Sequence, residues 1–322
     1  MQFLRRPRPG VNEILSSYLL RVTEANGYAN YKVVSEYVDI QSDLHKFNYL
    51  SKNITSLDRL SAATGVMESR LWEMVFPVID DRSVRAYGAT LEYEWLEREK
   101  LKVCPHCLAE TGYYHQHWAL WLYTSCHIHQ CLLVDICPQC QSEWRWDGLK
   151  NDWQCKCGFN FREAHIADLE SGQDNLSGLV FRSCRLDGDN AGSLDSPFAQ
   201  RSAGKERLRQ QTSLLDAFDL SQLSLLMMST ALCLNNPGGS LHQLKLPSSN
   251  RELDALLSRC AIVYESEQPN LGYFLQWFDR MYRSKYRHAG KRKNHLEKLS
   301  LISNFRQKLD DLSQEKDRVD RV

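Results

Sequence analysis

The residues best suited to chemistry are soft metal ligands, and they crowd into "TSCHIHQCLLVDICPQC", residues 124–140. Four ligand pairs can be written in and around it. Cys104-Pro-His-Cys107 and Cys137-Pro-Gln-Cys140 are C-x-x-C knuckles, Cys126-His-Ile-His129 is C-x-x-H, and Cys155-Lys-Cys157 is C-x-C followed by Gly158. A C-x-x-C turn aims two thiolates at one point, and two such pairs close a tetrahedron around a metal ion. Pairing in chain order gives a first site of Cys104, Cys107, Cys126 and His129 and a second of Cys137, Cys140, Cys155 and Cys157. Thiolates with at most one imidazole suit zinc, and four filled positions leave no room for a reactive water. The reading is two structural zinc ions per chain, with no catalytic residue.

Alternatives remain at the first site, where His127 could replace His129 and Cys131 could replace either. Cys131, Cys184, Cys233 and Cys260 otherwise read as buried thiols acting as small hydrophobes. His106, His115 and His117 are expected at the surface or behind the ligands. A zinc hydrolase would need an open coordination position and a general base, as in H-E-x-x-H, and the sequence contains no such motif. The chain is therefore expected not to be an enzyme.

Eight of the eleven cysteines fall between Cys104 and Cys157, which argues for metal rather than scattered thiols. No apolar run reaches the roughly 18 residues a membrane helix needs. The basic start "MQFLRRPRPG" is not followed by an apolar signal core. The expectation is a cytoplasmic protein with reduced thiols and no membrane partner. Lys plus Arg and Asp plus Glu both number 40, a balance unlike that of a protein that coats nucleic acid non-specifically.

The elements around the cysteines read as mainly α. Residues 1–100 form an N-terminal helical domain, 101–167 the tandem zinc-knuckle or zinc-ribbon module, 168–210 a linker or long loop, and 211–322 a C-terminal helical domain. In "NEILSSYLLRVTEANGY", Ile14, Leu15, Tyr18, Leu19 and Val22 form one helical stripe, Asn12 can cap its start, and Asn26-Gly27 supplies a left-handed stop. "YKVVSEYV" reads as a second helix. In "SLDRLSAATGVMESRLWEMVF", Leu57, Leu60 and Ala63 share a face, Thr64-Gly65 makes a tight turn, and Val66, Leu71 and Met74 continue the apolar face. That is a helix-turn-helix pattern. The same pattern fits a helical hairpin without a DNA role. Glu68 and Glu73 on its second helix disfavour a phosphate-rich surface and favour scaffolding or protein contact. The tryptophans of "WALWLY" and "WRW" are expected to pack around the metal sites.

Near the far end, "RMYRSKYRHAGKRKNH" carries Arg280, Arg283, Lys285, Arg287, Lys291, Arg292 and Lys293 with no acid. These are candidate nucleic-acid or partner contacts, with Tyr282 and Tyr286 available to stack. The competing reading is a solvated helix face whose two tyrosines belong to the core.

The order of an N-terminal "P…NEILSSYLLRVTEANGY", "LSAATGV", then "CPHCLAETGYYHQHWALWLYTSCHIHQCLLVDICPQC" and "CKCG" resembles the TniQ family of transposon target-selection proteins. The resemblance covers about the first 165 residues of the sequence. It implies a non-enzymatic adaptor that marks target DNA and recruits the transposition machinery through an AAA+ ATPase of the TnsC type. It also implies that the eight residues paired above are the zinc ligands. Larger TnsD-like members recognise an attachment site directly. Compact members bind a CRISPR Cascade ribonucleoprotein, often as a head-to-tail homodimer, and at 322 residues this chain is closer to them. The short C-x-C at Cys155 and Cys157 departs from the usual spacing. The alternative function is direct sequence-specific DNA binding through the helix after Gly65, as a TnsD-like protein or a helix-turn-helix transcription factor.

Overall fold

The computed structural model describes residues 2–40, 42–147, 149, 153–164, 166, 175–184, 218–235, 247 and 249–265. The chain divides into two compact units, one of Met1–Gly188 with Pro247–Asp254 and one of Asp189–Leu246 with Ala255–Val322.

In the first unit, helix α1 spans Leu15–Ala25 and α2 spans Tyr31–Tyr37. The expected stripe of α1 is its buried face, with Ile14, Leu15, Tyr18, Leu19 and Val22 at most 1% exposed. Its C-terminus ends on Gly27, whose φ of 68° is the left-handed conformation that glycine adopts without strain. Its start differs from expectation. The position before the helix is Ile14, and no side chain of that residue caps it. The first amides find tertiary partners instead. Ile14 N donates to Tyr114 O (3.2 Å), Leu15 N to Met74 O (2.9 Å) and Ser16 N to Asn48 Oδ1 (2.9 Å). Asn12 sits at φ 55° and its carbonyl accepts from Gln116 N.

Helix α3 spans Asp58–Thr64 and α4 spans Glu68–Glu73, joined through Gly65 at φ 74°. Leu57, Leu60, Ala63, Leu71 and Met74 are buried in one cluster with Tyr18, Leu19 and Phe47. Glu68 does not face outward. Its Oε1 accepts from Leu57 N (3.0 Å) and Trp72 Nε1 (3.2 Å), tying α4 back to the start of α3. Glu73 is exposed and pairs with Arg70 at 2.6 Å.

The mainly α expectation holds in part, because the helices are joined by a small antiparallel sheet. Strands β1 (Val78–Asp80), β2 (Ser83–Ala86) and β3 (Ala89–Glu92) lie in the order β1-β2-β3, with Val84 opposite Leu91. The β2–β3 turn uses Tyr87 at φ 49° and Gly88 at φ 78°, the paired positive φ values of a type I′ hairpin. These strands are too short for an alternating pattern to stand out from the helical one.

Residues from Glu97 onward are held by single antiparallel bridges, among them Leu96–Leu120, Val103–Val134, Ser125–Leu132, Ile136–Glu143 and Gln154–Asn160. Helix α5 (Pro105–Thr111) opens this region and α6 (Asn175–Ser183) follows it. Trp118, Trp121, Trp144, Trp146 and Trp153 are buried, and Trp144 stacks on Phe161 at 3.5 Å.

In the second unit, α7 (Leu220–Asn235) buries Leu223, Leu226, Met227, Ala231 and Leu232. Helix α8 (Asn250–Glu265) contributes its first turn to the first unit and its remainder to the second. Its later residues bury Leu256, Leu257 and Cys260, and the hydroxyls of Tyr264 and Thr230 are hydrogen-bonded. Among the described residues no helix is long and apolar enough to cross a membrane.

The first turn of α8 meets a buried lysine. Lys102 is 2% exposed and donates to the carbonyls of Leu120 (2.8 Å) and Trp121 (3.3 Å). Burial lowers it from 10.5 to about 8, against the opposing pull of Glu97, Asp135 and Asp254. Below about 8 both folded and unfolded chains carry the proton, so the cost of burying the charge is fully present. Between about 8 and 10.5 the unfolded chain holds more protons, so this group makes stability rise with pH, by up to about 1.4 kcal/mol per unit. Urea unfolding of wild type and Lys102→Met across that window is expected to show the rise in the wild type and its loss in the variant. Parallel pH profiles would refute the assignment.

Candidate metal centres

Both clusters are assembled from repeats of one local device. In each pair the first cysteine follows a bridge residue, and in the last three a residue with positive φ closes the turn. In the first knuckle Cys104 stands before α5, Pro105 presets the first helical φ, and Cys107 N approaches Cys104 Sγ at 3.5 Å. In the second, His129 N approaches Cys126 Sγ at 3.4 Å, Gln130 N donates to Cys126 O, and Gln130 takes φ 51°. In the third, Gln141 N donates to Cys137 O and Gln141 takes φ 58°. The C-x-C pair is one residue shorter. There Gly158 N donates to Cys155 O and Gly158 takes φ 91°, a value an L residue seldom reaches. The glycine that follows Cys157 is what lets the shortened turn close.

The structure brings together Cys104, Cys107, Cys126 and His129 in one group and Cys137, Cys140, Cys155 and Cys157 in another, with the ligand atoms of each group within 4.8 Å of one another. In the first, His129 Nδ1 is 3.5, 3.2 and 3.6 Å from the sulfurs of Cys104, Cys107 and Cys126, and Cys107 Sγ is 3.6 Å from Cys126 Sγ. In the second, Cys137–Cys157 and Cys140–Cys155 sulfurs are 3.6 Å apart. A tetrahedron with zinc–sulfur bonds of about 2.3 Å has edges of roughly 3.7 Å, so both groups fit a four-coordinate ion.

The electrostatics carry the same message. His129 is pushed up to about 10 by its contacts with Cys104 and then Cys126. Cys104 is held far below the ordinary thiol range, first by hydrogen bonding to Cys107, while Cys107 is pushed far above it by the same contact. Cys140 falls to about 6 through Ser142, and burial lifts Cys137 to about 12. Donors this close cannot all be anionic without a cation among them. A zinc ion would take the place of the shared protons and let every thiol ionise.

His129 faces the sulfurs and His127 does not. The Nδ1 atom of His127 lies 2.7 Å from the Tyr123 hydroxyl, and its ring stacks on Phe181 at 3.8 Å. Cys131 is buried with its sulfur 3.6 Å from Cys104 Sγ, beside the four donors. Of the other histidines, His106 is exposed beside the His129 ring, whereas His115 and His117 are buried among Trp118, Tyr123 and Phe181. Burial lowers His115 to about 3 and holds His117 well below the ordinary imidazole value, so both are neutral core residues rather than surface groups.

Three contributors lay outside the reach of ligand spacing. Glu110 Oε1 is 3.3 Å from His129 Nε2, a carboxylate that fixes the ring and its tautomer. Ser142 Oγ lies 3.1 Å from Cys140 Sγ. Asn250, more than a hundred residues away, donates from Nδ2 to Thr124 O (2.7 Å) and Leu133 O (2.8 Å), bracketing the second knuckle. An (i, i+3) relation to Cys107 on α5 was the one available hint for Glu110. Nothing local marked Asn250. Arg283, Lys285, Arg287, Lys291, Arg292 and Lys293 lie outside the described residues.

The TniQ family model matches residues 4–133, from the N-terminal arm through the first cluster and Cys131. Among curated proteins no match to the chain is found.

Elemental analysis of untagged protein is expected to give about two zinc ions per chain. Chelation should unfold the region around the knuckles, read as loss of near-UV signal from its tryptophans. Glu110→Gln should keep the fold and weaken zinc at the first site by about 10–100-fold in a chelator competition. A metal-free chain with the same near-UV spectrum, or a Glu110→Gln chain with unaltered affinity, contradicts these assignments.

Proposed function

Residues 4–133 belong to the TniQ family, and from that premise we propose that the chain is a non-enzymatic target-selection adaptor of a bacterial DNA transposon. It docks on an RNA-guided Cascade complex and recruits an AAA+ regulator of the TnsC type, and through it the transposase, to the target DNA. It acts in the cytoplasm as a homodimer, and two structural zinc ions hold its central module. The observation that carries this reading is the family match, which takes in the α3–Gly65–α4 pair and all four donors of the first cluster. Two further features support it. Each cluster supplies four protein donors, which suits a structural ion and leaves no position for an activated water. The α4 acids are engaged with protein groups, Glu68 with Leu57 and Trp72 and Glu73 with Arg70, as a helix used for scaffolding allows.

The other course is direct recognition of an attachment site through α4. One experiment separates the two. The purified chain is mixed with a Cascade complex loaded with guide RNA, with and without the ATPase, and retention is followed on immobilised target duplex. The adaptor reading expects target-specific retention that needs Cascade, ATPase retention that needs this chain, and a dimeric mass in light scattering. Tight, site-specific retention of the chain alone favours direct recognition. Failure to retain either partner removes the adaptor reading.

A further inference from the structure

We propose that the N-terminal arm, residues 2–10, is a phosphate-contacting strap whose Arg5, Arg6 and Arg8 grip the backbone of duplex DNA beside the α3–Gly65–α4 turn.

The first unit holds six arginines before residue 75, and they fall into two groups. Arg21, Arg59 and Arg70 each have a carboxylate partner, Glu13, Asp39 and Glu73, at 2.6–3.1 Å. Arg5, Arg6 and Arg8 are exposed, and among the described residues none has a carboxylate within ion-pair distance. The single side-chain bond of the three is Arg6 Nη1 to Gln2 Oε1, at 3.0 Å, with a neutral partner. Three guanidinium groups within four residues repel one another, a cost that no carboxylate among the described residues offsets and that an array of phosphates would.

A mobile basic tail would be the ordinary explanation, and the arm is not one. Its backbone is fastened along its length. Phe3 is 6% exposed and its N donates to Ala63 O at 2.9 Å. Arg5 exchanges hydrogen bonds with the Asn26 side chain, at 2.9 Å through N and 2.7 Å through O. Pro7 O accepts from Tyr18 Oη at 3.1 Å, and Arg8 O from Arg21 Nη1 at 3.3 Å. Gly10 lies so near the Tyr113 ring that an added Cβ would come within 2.3 Å of it, and Gly10 O accepts from Arg70 Nη2 at 3.1 Å.

These anchors set the arm alongside the helical pair. Phe3 is opposite Ala63, the Arg6 guanidinium lies 3.3 Å from where a Gly65 Cβ would be, and Gly10 is opposite Arg70. The arginines are thus presented next to the one element of the described chain with a helix-turn-helix pattern. Each anchor uses main-chain atoms of the arm or the Phe3 ring. The guanidinium groups are free to serve a ligand, and their backbone has already lost its entropy. Phosphate contacts of this kind position a protein on DNA without reading sequence.

The inference rests on the target-selection reading only for its choice of duplex DNA, and its test needs neither Cascade nor the ATPase. Binding of a labelled random-sequence duplex is measured by anisotropy over a salt series for wild type, R5A/R6A/R8A and R5K/R6K/R8K. The alanine variant keeps every main-chain anchor, and its urea melting is expected to match wild type. The expected result is wild-type binding with a steep salt slope. The slope falls by roughly 2–3 in the alanine variant and is largely kept in the lysine variant. No duplex binding by wild type overturns the proposal. So does an unchanged slope in R5A/R6A/R8A, or equal loss in both variants. Arginine-dependent binding to phosphatidylglycerol vesicles without duplex binding also overturns it, because the strap would then serve a membrane. Each of these results is read without knowing whether the adaptor assembles.

Discussion

Four soft donors with their ligand atoms inside 4.8 Å would repel one another if all their thiols were ionised, and this chain brings such a group together twice. A cation among the donors would let every thiol ionise, and the gain from binding it would become part of the folding free energy, on the order of 10 kcal/mol for small zinc modules. The region has little other regular structure. Between Glu97 and Ala164 the α-helix is the seven-residue α5, and the pairing is by single bridges rather than ladders. Tryptophans supply the apolar area, but Trp118, Trp121 and Trp144 bury indole N–H groups without a partner, which lowers the net gain from burying them.

The constraint extends beyond the knuckles, because the module supplies what the neighbouring helices lack. Helix α1 has no capping side chain, and Tyr114 is one of the three tertiary partners of its leading amides. Tyr114 N in turn donates to Ser17 Oγ at 2.9 Å, and Gln116 Nε2 lies 3.3 and 3.4 Å from the carbonyls of Glu73 and Val75. Lys102 satisfies two carbonyls of the "WALWLY" segment, and Asn250 satisfies two around the second knuckle. The helical segment and the module form one compact unit because buried polar groups on each side are completed by the other.

A net charge of zero conceals how charge is distributed. Arg21, Arg59 and Arg70 each pair with an acid, Glu13 is buried against Arg21, and Glu68 is spent on a backbone amide. Among the described residues, the arm keeps the adjacent cations Arg5 and Arg6 without a carboxylate partner on a fastened backbone. An adaptor that touches a nucleoprotein gains from such an arrangement, since contacts confined to one strap orient it without turning the whole surface into a non-specific DNA binder.

Much of the candidate site was legible in the sequence, for a local reason. A C-x-x-C or C-x-x-H turn forces its two ends together whatever surrounds it, so Cys104 with Cys107 and Cys137 with Cys140 follow from spacing alone, as does the apolar stripe of α1 from its helical period. Spacing could not decide between His127 and His129. Tertiary packing did, by stacking His127 on Phe181 and setting Glu110 behind His129. Nor could it foresee that Asn12 would leave its cap position to pair with Gln116, that three short strands would interrupt the helices, or that Asn250 would return to the second knuckle. Ligand pairs and helical faces are set by residues within about one turn of each other. Caps, tautomers and buried polar partners depend on which distant atom arrives, and that is known only once the chain has closed on itself.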